Sequence, residues 1–189
     1  MKFQSDIDID LADRQQVLSR IRYIAASIDH DTPHNTGIYV TEIPHDPITS
    51  RATLDYKTAE QRGYVKLDLL NVNVYNQVVD EQDLVQLMNT VPPWHRLRDR
   101  QFCEQLIHIS NHYDTMLKMP EPIRSVKELA MFLAVIRPSK RHLIGMTWNQ
   151  VADTIWEKPV DGYYFKKSHS VAYAHLVVVH MNLLNRLSN

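Results

Sequence analysis

One cysteine, Cys103, in 189 residues leaves no partner for an internal disulfide, which excludes a disulfide framework and suits a reducing compartment. Glycine is almost as scarce: Gly37, Gly63, Gly145 and Gly162 are all there are, so each is expected at a turn. No apolar run reaches the 18 residues of a membrane span, and Met1–Asp6 lacks the apolar stretch of a signal peptide. These absences point away from membrane and secreted classes and lead us to expect a cytoplasmic protein. Repeats and low-complexity tracts are also missing. Net charge is nearly so, at −1, but it is unevenly spread. Residues 1–95 hold 8 basic and 14 acidic side chains, whereas 96–189 hold 13 and 8. A solvated patchwork would look like this, and so would a chain that gathers cations at one end and meets an anionic partner at the other.

At about 150 residues per domain the length suits a single domain or one with an appendage, burying about 70% of the unfolded surface. Periodicity predicts an α/β beginning. Phe3–Leu11 alternates as a strand, and Asp13 caps a helix whose apolar face is Val17, Leu18, Ile21, Ile24, Ala25 and Ile28. Gly37–Thr41, Ala52–Tyr56 and Gly63–Leu70 read as strands, with a loop over His30–Asn35. Helices are expected over Asp80–Met88, Asp99–Leu117, Ser125–Ile136 (opened by a Ser125/Glu128 capping box), Trp148–Trp156 and Ser168–Leu187. The organisation is a small α/β unit over residues 1–75 and a helical region over 76–189, packed as one compact domain.

The sharpest local signal is Asp6-Ile7-Asp8-Ile9-Asp10. Alternation puts the carboxylates on one strand face, about 7 Å apart, where like charges repel unless a cation or basic group intervenes. Such oxygen donors suit Mg²⁺ or Mn²⁺. A Ca²⁺ loop is excluded, because Leu11 and Val17 stand where its glycine and glutamate belong. A solvent-facing edge strand that carries aspartates by chance is the alternative. Val65-Lys66-Leu67-Asp68-Leu69-Leu70 carries a second acid inside an apolar run, which is unfavourable unless paired or metal-bound. Were the two strands neighbours, Asp68 would join Asp8 and Asp10 in a triad able to hold two metals for phosphoryl or nucleotidyl transfer.

These segments resemble the catalytic alpha subunit of bacterial DNA polymerase III, the C family of polymerases. Ser5–Leu11 is similar to the family's Pro-Asp-Phe-Asp-Val-Asp-Phe strand, and Val65–Asn71 to its Val-Lys-Phe-Asp-Phe-Leu-Gly strand. His34–Val40 resembles His-Ala-Gly-Gly-Val-Val-Ile, and Leu129–Pro138 resembles Ile-Ala-Leu-Val-Ala-Leu-Phe-Arg-Pro. Phe165–Ala174 resembles Phe-Asn-Lys-Ser-His-Ser-Ala-Ala-Tyr-Ala. The order is the family's own. The resemblance implies a nucleotidyltransferase-type palm with remnants of thumb and fingers. It implies Asp8, Asp10 and Asp68 as metal-binding catalytic residues, and Lys66, His34, Arg137, Lys167, Ser168 and His169 as substrate or nucleic-acid contacts. It further implies Mg²⁺ or Mn²⁺, a DNA primer-template and dNTP, replication-protein partners, and a bacterial or bacteriophage setting.

The family's upstream Gly-Ser phosphate turn and most of its fingers have no counterpart here, which keeps two alternatives open: an inactive polymerase-derived binding module and one part of a split polymerase. Elsewhere, His108 and His112 have a zinc-compatible helical spacing, but no Glu-containing protease signature accompanies them and packing or a surface position is the favoured reading. Arg96, Arg98 and Arg100 suit either phosphate contact or a solvated helix start. The stripe Val177, Val178, Met181, Leu184 suits core or interface.

Overall fold

The computed structural model describes residues 6–158 and 165–188. The chain is mixed α/β and divides into two compact units, Met1–Gln77 and Val78–Asn189.

In the first unit, β1 (Asp6–Leu11), β2 (Ile24–Ser27), β3 (Pro33–Tyr39), β4 (His45–Asp46), β5 (Arg51–Asp55) and β6 (Lys66–Asn71) form one mixed sheet in the order β1-β6-β3-β2-β5-β4. Helices α1 (Arg14–Leu18) and α2 (Tyr56–Gln61) cover its two faces. Leu18 of α1 closes one face with Ile38 and Leu69, flanked by Ile9, Leu11 and Leu67. Ala59 of α2 closes the other with Ile24, Ala26, Tyr39 and Ala52. The alternation in β1 is met in part: Ile9 and Leu11 go to the α1 side and Asp8 and Asp10 to the other, while Ile7 is half exposed.

The helix expected over 13–28 is a correction. Asp13 does cap α1, accepting from Gln15 N (2.9 Å) and Gln16 N (3.2 Å), but α1 ends at Leu18 and Ile24–Ser27 is an interior strand. Between β3 and β5 this short segment buries Ile24, Ala26 and Ser27, whose hydroxyl donates to Ala52 O at 2.7 Å. Tertiary pairing overrides a helical period here. Strand β3 begins at Pro33, inside the expected loop, and the strand ending at Asp55 runs straight into α2, which Asp55 caps.

The second unit is helical: α3 (Glu81–Asn89), α4 (Arg100–Cys103), α5 (Tyr113–Met116), α6 (Val126–Val135), α7 (Trp148–Thr154) and α8 (Lys167–Leu187). Leu129 to Val135 of α6 are all buried, and Ala174, Val177, Val178 and Met181 of α8 join them in one continuous cluster. The α8 stripe is thus core. Asn182 fastens α3 by donating to Leu87 O (2.8 Å) and Thr90 O (2.9 Å). Ser125 caps α6 as expected, while Glu128 reaches back to Arg124 N at 2.6 Å.

The single helix expected over 99–117 is also corrected. It breaks after Cys103 because the Ile107 N–H is donated to His180 Nδ1 of α8 (3.1 Å), and His108 turns left-handed at φ 66°. His108 stacks on Tyr173 with centroids 4.3 Å apart, so the His108/His112 pair does not share a helix face. Phe102, Leu106 and Ile109 are buried all the same. No helix among the described residues is long and apolar enough to cross a membrane.

Candidate active site

Strands β1 and β6 are neighbours and run parallel, in the register Asp8↔Asp68. Parallel partners in register present their side chains to the same side of the pleat, so the two acids face the same way, with Asp10 one pleat further along β1. On the other side of β6, Gly37 of β3 lies opposite Asp68. A glycine is required there for space. A Cβ at Gly37 would meet Lys66 Cδ at 2.8 Å, His34 Nδ1 at 3.0 Å and Ala26 Cβ at 3.1 Å.

Lys66 and Asp68 are both buried, and both point to the same face two residues apart on β6. Lys66 Nζ donates to Asp68 Oδ2 and Thr36 Oγ1 donates to Oδ1 at 2.9 Å, so each oxygen of Asp68 has a partner. His34 completes the wall. Its Nδ1 accepts from Gly37 N (2.9 Å) and Thr36 N (3.3 Å) and lies 3.7 Å from Asp68 Oδ1. Burial, and then the Lys66 ammonium, push the His34 pKa below its ordinary value, against a smaller opposing pull from Asp68. A neutral imidazole whose Nδ1 accepts carries its proton on Nε2. Tyr56 of α2 stands edge-on to His34, centroids 5.5 Å apart, with Lys66 Nζ 6.0 Å from its ring centre.

The acids differ in setting. Asp8 is exposed and Asp68 buried. Asp10 is half-buried, and burial first, then the charge of Asp8, raise its pKa. Asp10 in turn contributes, after burial, to raising the pKa of Tyr75. Tyr39, on the same sheet, is pushed up to about 12 by burial and then by Asp68, and its hydroxyl has no hydrogen-bond partner among the described residues.

Donor chemistry fits a divalent cation at Asp8 and Asp68. Both are carboxylates, they stand in register, and a cation relieves the like-charge repulsion between Asp8 and Asp10 that adds to burial in raising Asp10. Among the described residues, no group of three His, Cys, Asp or Glu side chains is arranged to hold an ion. Two carboxylates, with water and substrate phosphate completing the shell, are a donor set that Mg²⁺ accepts.

The remaining expected contacts fall in the second unit. Arg137, at the end of α6, lays its guanidinium 4.3 Å from the centre of the Phe165 ring. Its Nε is buried without a partner among the described residues. Phe165 directly precedes Lys166 and Lys167 at the start of α8, and its ring stacks on Tyr173 of that helix. Lys167 is exposed, its Nζ 5.8 Å from the Trp156 ring centre; Ser168 is exposed and His169 half-buried. The three arginines at 96–100 separate: Arg96 lies over Phe102 (4.0 Å), while Arg100 pairs with Glu104 (3.1 Å) and Asp114.

Thr36 and Gly37 were not singled out as site residues by sequence reasoning, although both lie in the segment that begins at His34. The available signal was a hydroxyl and a glycine immediately following a histidine in a β-rich run; what they do depends on β6 lying alongside, which spacing does not reveal. Compared with protein families, with curated proteins and with solved structures, the chain matches none.

Proposed function

We propose that the first unit is a palm-like nucleotidyl-transfer site of the C-family polymerase type, which extends a DNA primer with dNTP using Mg²⁺ or Mn²⁺. The observation that carries this reading is the parallel Asp8↔Asp68 register, flanked by a buried Lys66. Asp8 and Asp68 would hold the cation, with Asp10 contributing once deprotonated. When bound, the cation supplies charge neutralisation at the phosphates and lowers the pKa of the attacking primer hydroxyl. Lys66 fixes Asp68 through Oδ2 and keeps a positive charge where a triphosphate would approach. Thr36 holds Oδ1, so Asp68 cannot rotate freely. His34, neutral and protonated at Nε2, presents a donor without adding charge. Arg137, Lys167, Ser168 and His169 are assigned to phosphate or base contacts, a role that the basic start of α8 favours.

A second reading has its own support. Lys66 already neutralises Asp68, as it would in a polymerase-derived binding module, or one part of a split polymerase, that performs no chemistry.

Primer extension with Mg²⁺ or Mn²⁺ separates the two. The transfer reading expects incorporation by the wild type and its loss in Asp8→Asn, an exposed position where the variant keeps its fold. A folded wild type that binds primer-template yet incorporates nothing, or an Asp8→Asn variant that extends equally well, overturns it and favours the binding module.

A further inference from the structure

The second unit holds a cleft of about 500 Å³ between the turn Trp94–Arg98 and the segment 116–124. Its volume is that of a ligand pocket. Leu97, Met116, Met119 and Ile123 are buried and form its floor, with half-buried Trp94 beside them. Leu117, 56% exposed, carries the apolar surface outward. Thioethers on such a floor adapt to the shape of an incoming side chain.

The rim is cationic. Arg98, Arg124 and His95 line it, and among the described residues neither arginine has an ion-pair partner. The cleft's one acid, Glu121, is committed elsewhere: its Oε2 accepts the Trp148 N–H at the start of α7, 2.8 Å away. An apolar floor inside a polar rim is the anatomy of a protein-recognition site, and unpaired guanidiniums select carboxylates, which they can grip in a bidentate fashion.

We propose that this cleft binds a short acidic segment of a partner protein, one in which a bulky apolar side chain enters the pocket and neighbouring Asp or Glu residues meet Arg98 and Arg124. Two guanidiniums call for more than one carboxylate, which a peptide supplies and a simple monocarboxylate does not. Nucleic acid fits less well. A strand needs a track of cations and polar edges for its bases, whereas this floor is aliphatic and the cations number two. The inference rests on the second unit alone and stands whether or not the carboxylate site transfers nucleotides.

Panning a displayed library of random decapeptides against the full chain tests it. The expected result is enrichment of sequences with Asp or Glu beside Leu, Phe or Trp. The best of these, made with a fluorescent label, should bind the wild type saturably and bind Arg98→Glu/Arg124→Glu at least tenfold more weakly, at an unchanged melting temperature. Raising salt should weaken binding too. Enrichment of basic or uncharged sequences, no enrichment at all, or equal binding to the charge-reversed variant overturns the proposal. So does displacement of the peptide by oligo-dT that itself loses affinity in that variant, which would assign the cleft to nucleic acid.

Discussion

The two units solve the burial problem differently. In the second, one cluster runs unbroken from Leu97 to Met181, and its buried Ser170 and Asn182 fasten helices, Ser170 on Ala130 O and Asn182 on α3. In the first, the apolar residues fall into small clusters on opposite sheet faces, and on the face that α2 covers the sheet also buries an ammonium and a carboxylate. A fold under no other demand would fill that space with aliphatic side chains, since a buried ion pair seldom outperforms a well-packed apolar replacement. The contrast marks the first unit as the one that accepts a buried ion pair in place of apolar packing.

The comparison can be broken most forcefully at Asp68. Asp68→Ala leaves the Lys66 ammonium buried and unpaired, with an expected loss of about 3–5 kcal/mol in denaturant unfolding. Phe132→Ala in the second unit should cost a similar ~3–5 kcal/mol through its cavity. The two losses differ in how they are rescued. Adding Lys66→Met to an Asp68→Leu variant should recover most of the stability, because the pair is then replaced by apolar volume, and should still bind no Mn²⁺. If the double variant remains as unstable as Asp68→Ala, the cost is not electrostatic.

Gly37→Ala probes the same region more gently. The new methyl would press on Lys66, His34 and Ala26, an overpacking of about 1–3 kcal/mol. Gly145, by contrast, has no atom within 4 Å of the corresponding position. Its φ of 93° makes any loss at Gly145→Ala one of backbone strain.

The smallest effect is a pH dependence. His34 has a folded pKa below its unfolded value of about 6.5, so the unfolded chain binds the proton first. Its contribution is complete above about pH 6.5 and is lost as the pH falls toward the folded pKa. Protonating Nδ1 also removes the acceptor for Gly37 N and Thr36 N. Wild type should therefore lose more melting temperature between pH 7.5 and 5.5 than His34→Asn does. His108, His112 and His180 are depressed by burial as well and act in the same direction in both proteins. Equal losses would remove His34 from the site's proton balance.

What could be read without coordinates depended on range. Period-2 alternation in Asp6–Leu11 is local, and so is the cap at Asp13, and both are present. The long α8 and the buried α6 were legible from their apolar content. The segment Ile24–Ser27 was not, because its four residues fit a helix as well as a strand until β3 and β5 flank it. The break after Cys103 was hidden for the same reason: its cause, His180, lies 73 residues away from Ile107. At the site, the sequence supplied the carboxylates and Lys66. It did not supply the register that sets Asp8 against Asp68, nor the hydroxyl of Thr36 that closes Asp68 on its second oxygen.

The central claim is that acids from β1 and β6 form one cation site. Mn²⁺ binding, followed by electron paramagnetic resonance on wild type and Asp8→Asn, tests it without reference to catalysis. The account predicts saturable binding by wild type that is weakened at least tenfold in Asp8→Asn and falls as the pH is lowered through the raised titration of Asp10. Identical Mn²⁺ affinity in the two proteins, or no binding by wild type at millimolar Mn²⁺, would contradict it.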